Sequence, residues 1–201
     1  MTSPKHQSGT DRVAEVARTL DCDLIVNVQG DEPLINPAMI EQALGPFAAD
    51  SSLVMSTLRR RFDDPSEASD PHVVKVVVDR QGFALYFSRA AIPYIRGSEF
   101  GIQDSGSIRN AAKPESQIPS PESRVDLYKH IGLYVYRRDF LLMLARLDPT
   151  PLEQTEALEQ LRPLEHGYRI MAVETTYDCI GIDTPEDLER VRRLVTAEAP
   201  A

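Results

Sequence analysis

The chain has 201 residues, 42% of them hydrophobic and 26% charged, enough for one domain, or a large piece of one, with a genuine core. Its 22 Lys+Arg against 31 Asp+Glu give a net charge of -9. That speaks against a general binder of nucleic acid or of an anionic membrane, since both need clustered cations. No apolar run reaches bilayer length, the first dozen residues lack the apolar centre of a signal peptide, and Cys22 and Cys179 have no CxxC spacing. A soluble, cytoplasmic protein with neither disulfides nor a zinc site is expected.

Residues 10–20 read as a helix, with Thr10 able to cap it and Val13, Val16, Ala17 and Leu20 recurring at helical spacing. Asp23-Leu24-Ile25-Val26-Asn27-Val28 is an almost unbroken apolar run, the pattern of a strand buried on both faces in a parallel sheet. It stops at Gln29-Gly30-Asp31-Glu32-Pro33, and Asn36 then caps a helix whose first residue is Pro37. Residues 53–58 form a second strand. Residues 73–78 and 83–87 form a hairpin in which Gly82 supplies a positive φ. Residues 97–125, rich in Ser, Pro, Gly and Asn, read as a long mobile loop.

Strand character returns at 131–136, followed by a helix over 140–147. Thr150-Pro151-Leu152-Glu153 is a capping box whose helix runs to about Leu164 and ends at Gly167. Residues 169–174 and 179–182 are two more strands. Thr184-Pro185 opens the last helix, with Leu188, Val191, Leu194 and Val195 turned inward. The expected fold is α/β: a single domain over 1–201 with a mixed, mostly parallel sheet flanked by helices.

In such sheets ligands bind beyond the carboxyl ends of the strands. Asp31 follows the LIVNV run and Asp183 follows CIGI, so the two carboxylates could converge on a hard cation such as Mg²⁺, which takes oxygen ligands. A turn or cap role explains either aspartate as well. His130 and Tyr134 lie four residues apart on one strand and face the same side, but spacing alone favours a strand-end histidine and a core-edge tyrosine. Glu159 and Gln160 sit mid-helix, where a solvated face is the ordinary account. Arg89 is either a surface ion pair or an anion clamp. Ser8-Gly9-Thr10 at a helix start could donate N–H groups to an anion or nucleotide, and a plain N-cap explains it equally well. There is neither a GxGxxG nor a P-loop, so Rossmann dehydrogenases and Walker ATPases lack support.

Six blocks in order give a more specific signal. KHQSGTDRVAEVA (5–17), VNVQGDEP (26–33), ALYFSRAAIP (84–93), HIGLYVYRRDFL (130–141), PLEQTEALEQLRPLEHGYRI (151–170) and GIDTPEDLERV (181–191) together resemble the 3-deoxy-manno-octulosonate cytidylyltransferases. The resemblance covers nearly the whole chain outside 97–125. It implies a nucleotide-diphospho-sugar-transferase-like fold, usually homodimeric, that uses CTP and Mg²⁺ to activate Kdo as CMP-Kdo for lipopolysaccharide biosynthesis. The anomeric hydroxyl of Kdo attacks the α-phosphorus and pyrophosphate leaves.

Carried over by position, the resemblance implies that Asp31 and Asp183 bind the metal and act in catalysis. Gln29, Arg89, His130, Tyr134, Glu159 and Gln160 would line the Kdo pocket, and Ser8 and Gly9 would lie on the cytidine side. The family opens with a basic, glycine-containing loop for the triphosphate, whereas this chain starts at MTSPKHQSGTDR. The expectation is therefore an N-terminally truncated chain, inactive or nearly so alone, with the missing segment encoded upstream. The competing expectations are a cytidylyltransferase for another sugar acid, of the sialic-acid type, and a non-catalytic remnant that binds a partner.

Overall fold

The computed structural model describes residues 2–4, 6, 8–94, 126–179, 181–182 and 185–198. The long loop expected at 97–125 and Asp183 lie outside the described residues. Among the described residues six strands form one sheet: β1 (Leu24–Val28), β2 (Met55–Arg61), β3 (Lys75–Val78), β4 (Ala84–Ser88), β5 (Tyr128–Arg137) and β6 (Met171–Glu174). Their order is β4-β3-β5-β2-β6, with β1 also paired to β5. Only β2–β6 is parallel; β1–β5, β2–β5, β3–β4 and β3–β5 are antiparallel.

The sheet is thus mixed but mostly antiparallel, which corrects the expectation of a mostly parallel one. The physical reason is cover rather than strand direction. Helices lie on both faces, so an antiparallel strand between them reads as apolar as a parallel one. On one face α2 (Pro37–Ala49) packs Met39, Ala43 and Phe47 against Ile131, Leu133 and Val135 of β5. On the other, α1 (Gly9–Ala17), α3 (Arg138–Leu144) and residues around 158–161 pack Ala14, Leu141, Leu158 and Leu161 against Tyr134 and Tyr136. Alternate residues of β5 therefore serve the two cores.

Local chemistry explains most boundaries. Asn36 accepts the Ala38 N–H at 2.9 Å and starts α2. Gly82, at φ 88°, turns the β3–β4 hairpin. The start of α1 differs from expectation: Ser8, not Thr10, is the N-cap, accepting the Asp11 N–H at 3.1 Å, and the helix stops at Ala17 with Leu20 exposed beyond it. Residues 179, 181 and 182 are not a strand. The last helix, α6 (Pro185–Glu198), buries Val191 while Leu188 and Val195 stay exposed. Cys22 and Cys179 form no disulfide. No helix of the described residues is long and apolar enough to cross a membrane.

The largest departure is the helix expected from 150 to 164. Glu153 does reach back to the Thr150 N–H at 3.1 Å, but the segment divides into α4 (Pro151–Glu156) and α5 (Leu161–Glu165). Ala157 takes the left-handed conformation between them, at φ 54° and ψ 49°. A buried ion pair holds the two short helices together: Arg162 Nη2 lies 2.5 Å from Glu153 Oε1, and its Nε donates to Oε2 at 2.7 Å. The bond to Glu153 raises the Arg162 pKa against the opposing effect of burial. Removing one partner of such a pair strands a buried charge. The variant Arg162→Met is therefore expected to lose about 3–5 kcal/mol of unfolding free energy, read from urea denaturation; a loss under about 1 kcal/mol would show that packing alone joins the two helices.

Candidate active site at a fork in the sheet

β5 pairs with β2 along nearly its whole length, so its other edge must serve both β3 and β1. β3 takes Tyr128 and Lys129, and β1 takes Leu133 to Arg137. Between these contacts His130, Ile131 and Gly132 face a fork rather than a strand. The β2–β5 register also shifts here, from Thr57↔Tyr134 to Leu58↔Ile131, which leaves Gly132 and Leu133 as a bulge. The buried Thr57 hydroxyl spans that bulge, 3.2 Å from the Ile131 carbonyl and 2.9 Å from that of Leu133.

A cavity of about 800 Å³ opens at the fork. Its lining includes Gly9, Gln29, Asp31, Arg89, His130, Tyr134, Glu159 and Gln160. Of the residues singled out from sequence, Ser8 is not in the lining: its hydroxyl caps α1. Asp183 lies outside the described residues, although its chain neighbour Ile182 donates its N–H to the Asp31 carbonyl at 2.8 Å.

Each wall follows from an element that ends at the fork. β1 runs out into Gln29–Glu32, with Asp31 exposed. Glu32 returns to accept the Gly132 N–H at 3.0 Å, and a Cβ at Gly132 would come within 3.0 Å of that carboxylate and 3.2 Å of Gln29. Glycine permits that close approach. β4 ends at Ser88, and the next residue is Arg89, whose Nε donates to the Glu156 carbonyl at 3.0 Å and whose Nη1 reaches the Pro71 carbonyl at 3.2 Å. Of the two readings of Arg89, a surface ion pair or an anion clamp, the first gives way to a guanidinium anchored on backbone carbonyls at the cavity wall.

Lys75 explains why that wall is firm. Its side chain is fully buried, and its ammonium donates to the carbonyls of Asp70, Val73 and Arg89 at 2.7, 2.6 and 2.5 Å. All three donors are used. Burial lowers the Lys75 pKa; Asp70 and Glu156 oppose this and Arg89 adds to it. Glu156 faces the same strand end. Burial would raise its pKa, but the Arg89 N–H, the Ser88 hydroxyl and the Tyr86 hydroxyl together hold it low.

The bulge also brings His130 and Tyr134 together. Four residues of regular strand span about 13 Å, yet their ring centroids are 5.4 Å apart, with Phe87 edge-on to His130 at 5.0 Å. Desolvation lowers the His130 pKa to about 3, so the ring is neutral at physiological pH. Its Nε2 is 2.9 Å from the Thr57 hydroxyl. With that hydroxyl donating to the bulge carbonyls, Nε2 carries the proton and Nδ1 is an acceptor. Burial raises the Tyr134 pKa well above its usual value, and Tyr136, Glu159, Glu32 and Asp31 push it the same way, so its hydroxyl stays protonated.

Glu159 and Gln160 are not on a solvated helix face. They occupy the turn between α4 and α5, where Gln160 is buried and Glu159 binds the first turn of α1. Thr10 also lines the cavity, and Arg12, His72 and Lys129, which line it too, were missed from sequence. Arg12 had a signal: it follows Gly9 by three residues, one helical turn along the same face.

The cytidylyltransferase family pattern matches residues 1–170. The 3-deoxy-manno-octulosonate cytidylyltransferase of Geobacter metallireducens is 52% identical over 191 residues, which are 95% of this chain and 70% of that protein. The chain belongs to the 3-deoxy-manno-octulosonate cytidylyltransferase family. The member from Geotalea uraniireducens is 53% identical over 95% of this chain and 71% of its own length. Among solved structures, a CMP:2-keto-3-deoxy-manno-octonic acid synthetase complexed with CTP shares 37% identity at a TM-score of 0.80, over 99% of this chain and 72% of that one.

The neutral histidine has a measurable consequence. An unfolded imidazole titrates near 6.5, whereas the folded one does so at about 3. Above pH 6.5 the two states bind the same number of protons here. Below it the unfolded chain takes up a proton that the folded chain refuses, so stability falls as the pH drops toward 3. His130→Gln is expected to show a smaller fall in Tm between pH 7 and pH 5 than the unmodified chain, by thermal unfolding at both values. An identical fall in both would mean that His130 is already charged when folded.

Proposed function

We propose that this cavity binds CTP and Kdo together and transfers the cytidylyl group to the anomeric hydroxyl of Kdo, giving CMP-Kdo and pyrophosphate. The observation that carries this reading is the gathering of Gln29, Arg89, His130, Tyr134, Glu159 and Gln160 in one cavity beside Asp31, in a chain about half identical to 3-deoxy-manno-octulosonate cytidylyltransferases.

Kdo is a sugar acid, so its pocket needs a cation for the carboxylate and a mixture of donors and acceptors for the hydroxyls. Arg89 supplies the cation, with its orientation preset by Glu156 and Pro71. Tyr134 donates, Nδ1 of His130 accepts, and Gln29 and Gln160 can do both. Since His130 holds its proton so weakly, it binds a hydroxyl rather than serving as a strong base. Ser8 and Gly9, at the start of α1, belong to the cytidine side.

Among the described residues no group of three His, Cys, Asp or Glu side chains could hold a metal ion by itself. Mg²⁺ is commonly held by one or two carboxylates, with substrate phosphates and water completing its octahedron. Asp31, exposed in the cavity wall, and Asp183, which follows Ile182 in sequence, are the carboxylates we assign to it. When bound, the metal would neutralise charge on the phosphates during transfer. The chain's own residues orient the two substrates and exclude water. The same reading makes the protein a cytoplasmic homodimer acting in lipopolysaccharide biosynthesis.

The test is pyrophosphate release from CTP by the purified chain, expected to be slow alone, with Mg²⁺ and Kdo, alongside a sialic acid as a rival substrate. Release with Kdo and little with the sialic acid is the expected result, and Asp31→Asn should be at least about 100-fold slower, since losing about 3 kcal/mol of charge stabilisation costs that factor. No release with Kdo overturns the proposal.

A further inference from the structure

The first turn of a helix has N–H groups without intrahelical partners. In α1 the Ser8 hydroxyl takes that of Asp11, and those of Gly9 and Thr10 go to Glu159, 150 and 149 residues away, at 3.0 Å to Oε1 and 3.1 Å to Oε2. The Thr10 hydroxyl adds a third bond to Oε2 at 2.5 Å. Positive charge at a helix N-terminus and three donors converge on one carboxylate.

The two partners differ in exposure. Thr10 is buried at 6%, whereas Glu159 is exposed in the cavity wall. A carboxylate has about four acceptor positions. Three bonds leave one, on Oε1, for a hydroxyl group in the cavity. Glu159 sits on a short turn behind a left-handed Ala157, with no regular helix to aim its side chain. The aim must therefore come from α1. Tyr136 lies on the buried side of the same contact: burial and the Glu159 charge raise its pKa while the Thr10 hydroxyl lowers it.

We propose that Thr10 is a positioning residue for the sugar-acid half of the cavity, its N–H and hydroxyl fixing Glu159 with one carboxylate position turned to the ligand. This rests on the reading that Glu159 meets the sugar acid. A residue that merely capped α1 would affect folding, or both ligands alike, because α1 also carries Ser8 and Gly9. A positioning residue affects the sugar acid selectively. Thr10→Val keeps the shape and both backbone bonds to Glu159 but deletes the hydroxyl, and Thr10→Ser keeps the hydroxyl.

The experiment is calorimetric titration of Kdo into the chain, alone and with CTP present without divalent metal, and of CTP separately. Thr10→Val should bind Kdo about tenfold more weakly with CTP affinity within about twofold, and Thr10→Ser should bind both within about twofold of the unmodified chain. Unchanged Kdo affinity in Thr10→Val, equal weakening of both ligands, or failure of Ser to restore binding overturns the inference. So does a Thr10→Val chain that no longer folds, because the hydroxyl would then be a folding determinant. If the unmodified chain binds neither ligand, the functional reading itself fails and takes this inference with it; Kdo binding with an insensitive Thr10→Val sinks the inference alone.

Discussion

One edge of β5 is shared by two strands that cannot both follow it. β3 leaves at Lys129 and β1 begins at Leu133, and the three residues between them are what the cavity is built on. A sheet edge with unpaired N–H and C=O groups is unstable unless something answers them. Here the Val74 carbonyl takes the His130 N–H, Glu32 takes that of Gly132, and Thr57 answers the carbonyls of the bulge from the opposite strand. The fork is thus stabilised by side chains that also shape the site. Changing them would alter the sheet and the cavity together.

The same economy appears where β4 and the loop before β3 meet. The buried Lys75 is acceptable energetically because three carbonyls surround it and Asp70 and Glu156 lie near enough to favour its charge. Its bonds join residues 70–73 to Arg89, two pieces of chain with no ladder between them. The guanidinium of Arg89, held at Nε and Nη1, is left with little freedom to lose when an anion arrives. Rigidity at the wall is produced by buried polar contacts, and the apolar core only supports them.

Much of this was legible in the residues. Asn36-Pro37, the Gly82 hairpin and the Glu153 half of the capping box are local signals, and local physics honours them. Strand direction was not legible, because LIVNV records that helices cover both faces and carries no information on what pairs with its edge. The break at Ala157 was hidden for a related reason. EALEQLRPLE has a helical apolar period, and only the Glu153–Arg162 pair with the packing of Leu158 and Leu161 reveals why the chain turns there. The cavity residues were found through family blocks rather than spacing. Spacing assigned His130, Tyr134, Glu159 and Gln160 to ordinary roles, since neither a bulge nor a helix break is visible in a periodicity.

The features that sequence patterns missed share a physical character. The bulge at Gly132, the left-handed Ala157 and the buried ammonium of Lys75 are each unfavourable locally, and each lies at the cavity or against one of its walls. A regular β5 would hold His130 and Tyr134 well apart, and an unbroken helix over 151–165 would set Glu159 and Gln160 on a helix surface. Left-handed backbone at a non-glycine residue costs on the order of 1–2 kcal/mol, and the buried Arg162–Glu153 pair and the α1 contacts of Glu159 are tertiary interactions able to offset it. Irregularity here is the means by which polar side chains from several separate segments reach one volume of about 800 Å³ without leaving the cores on either face of the sheet incomplete.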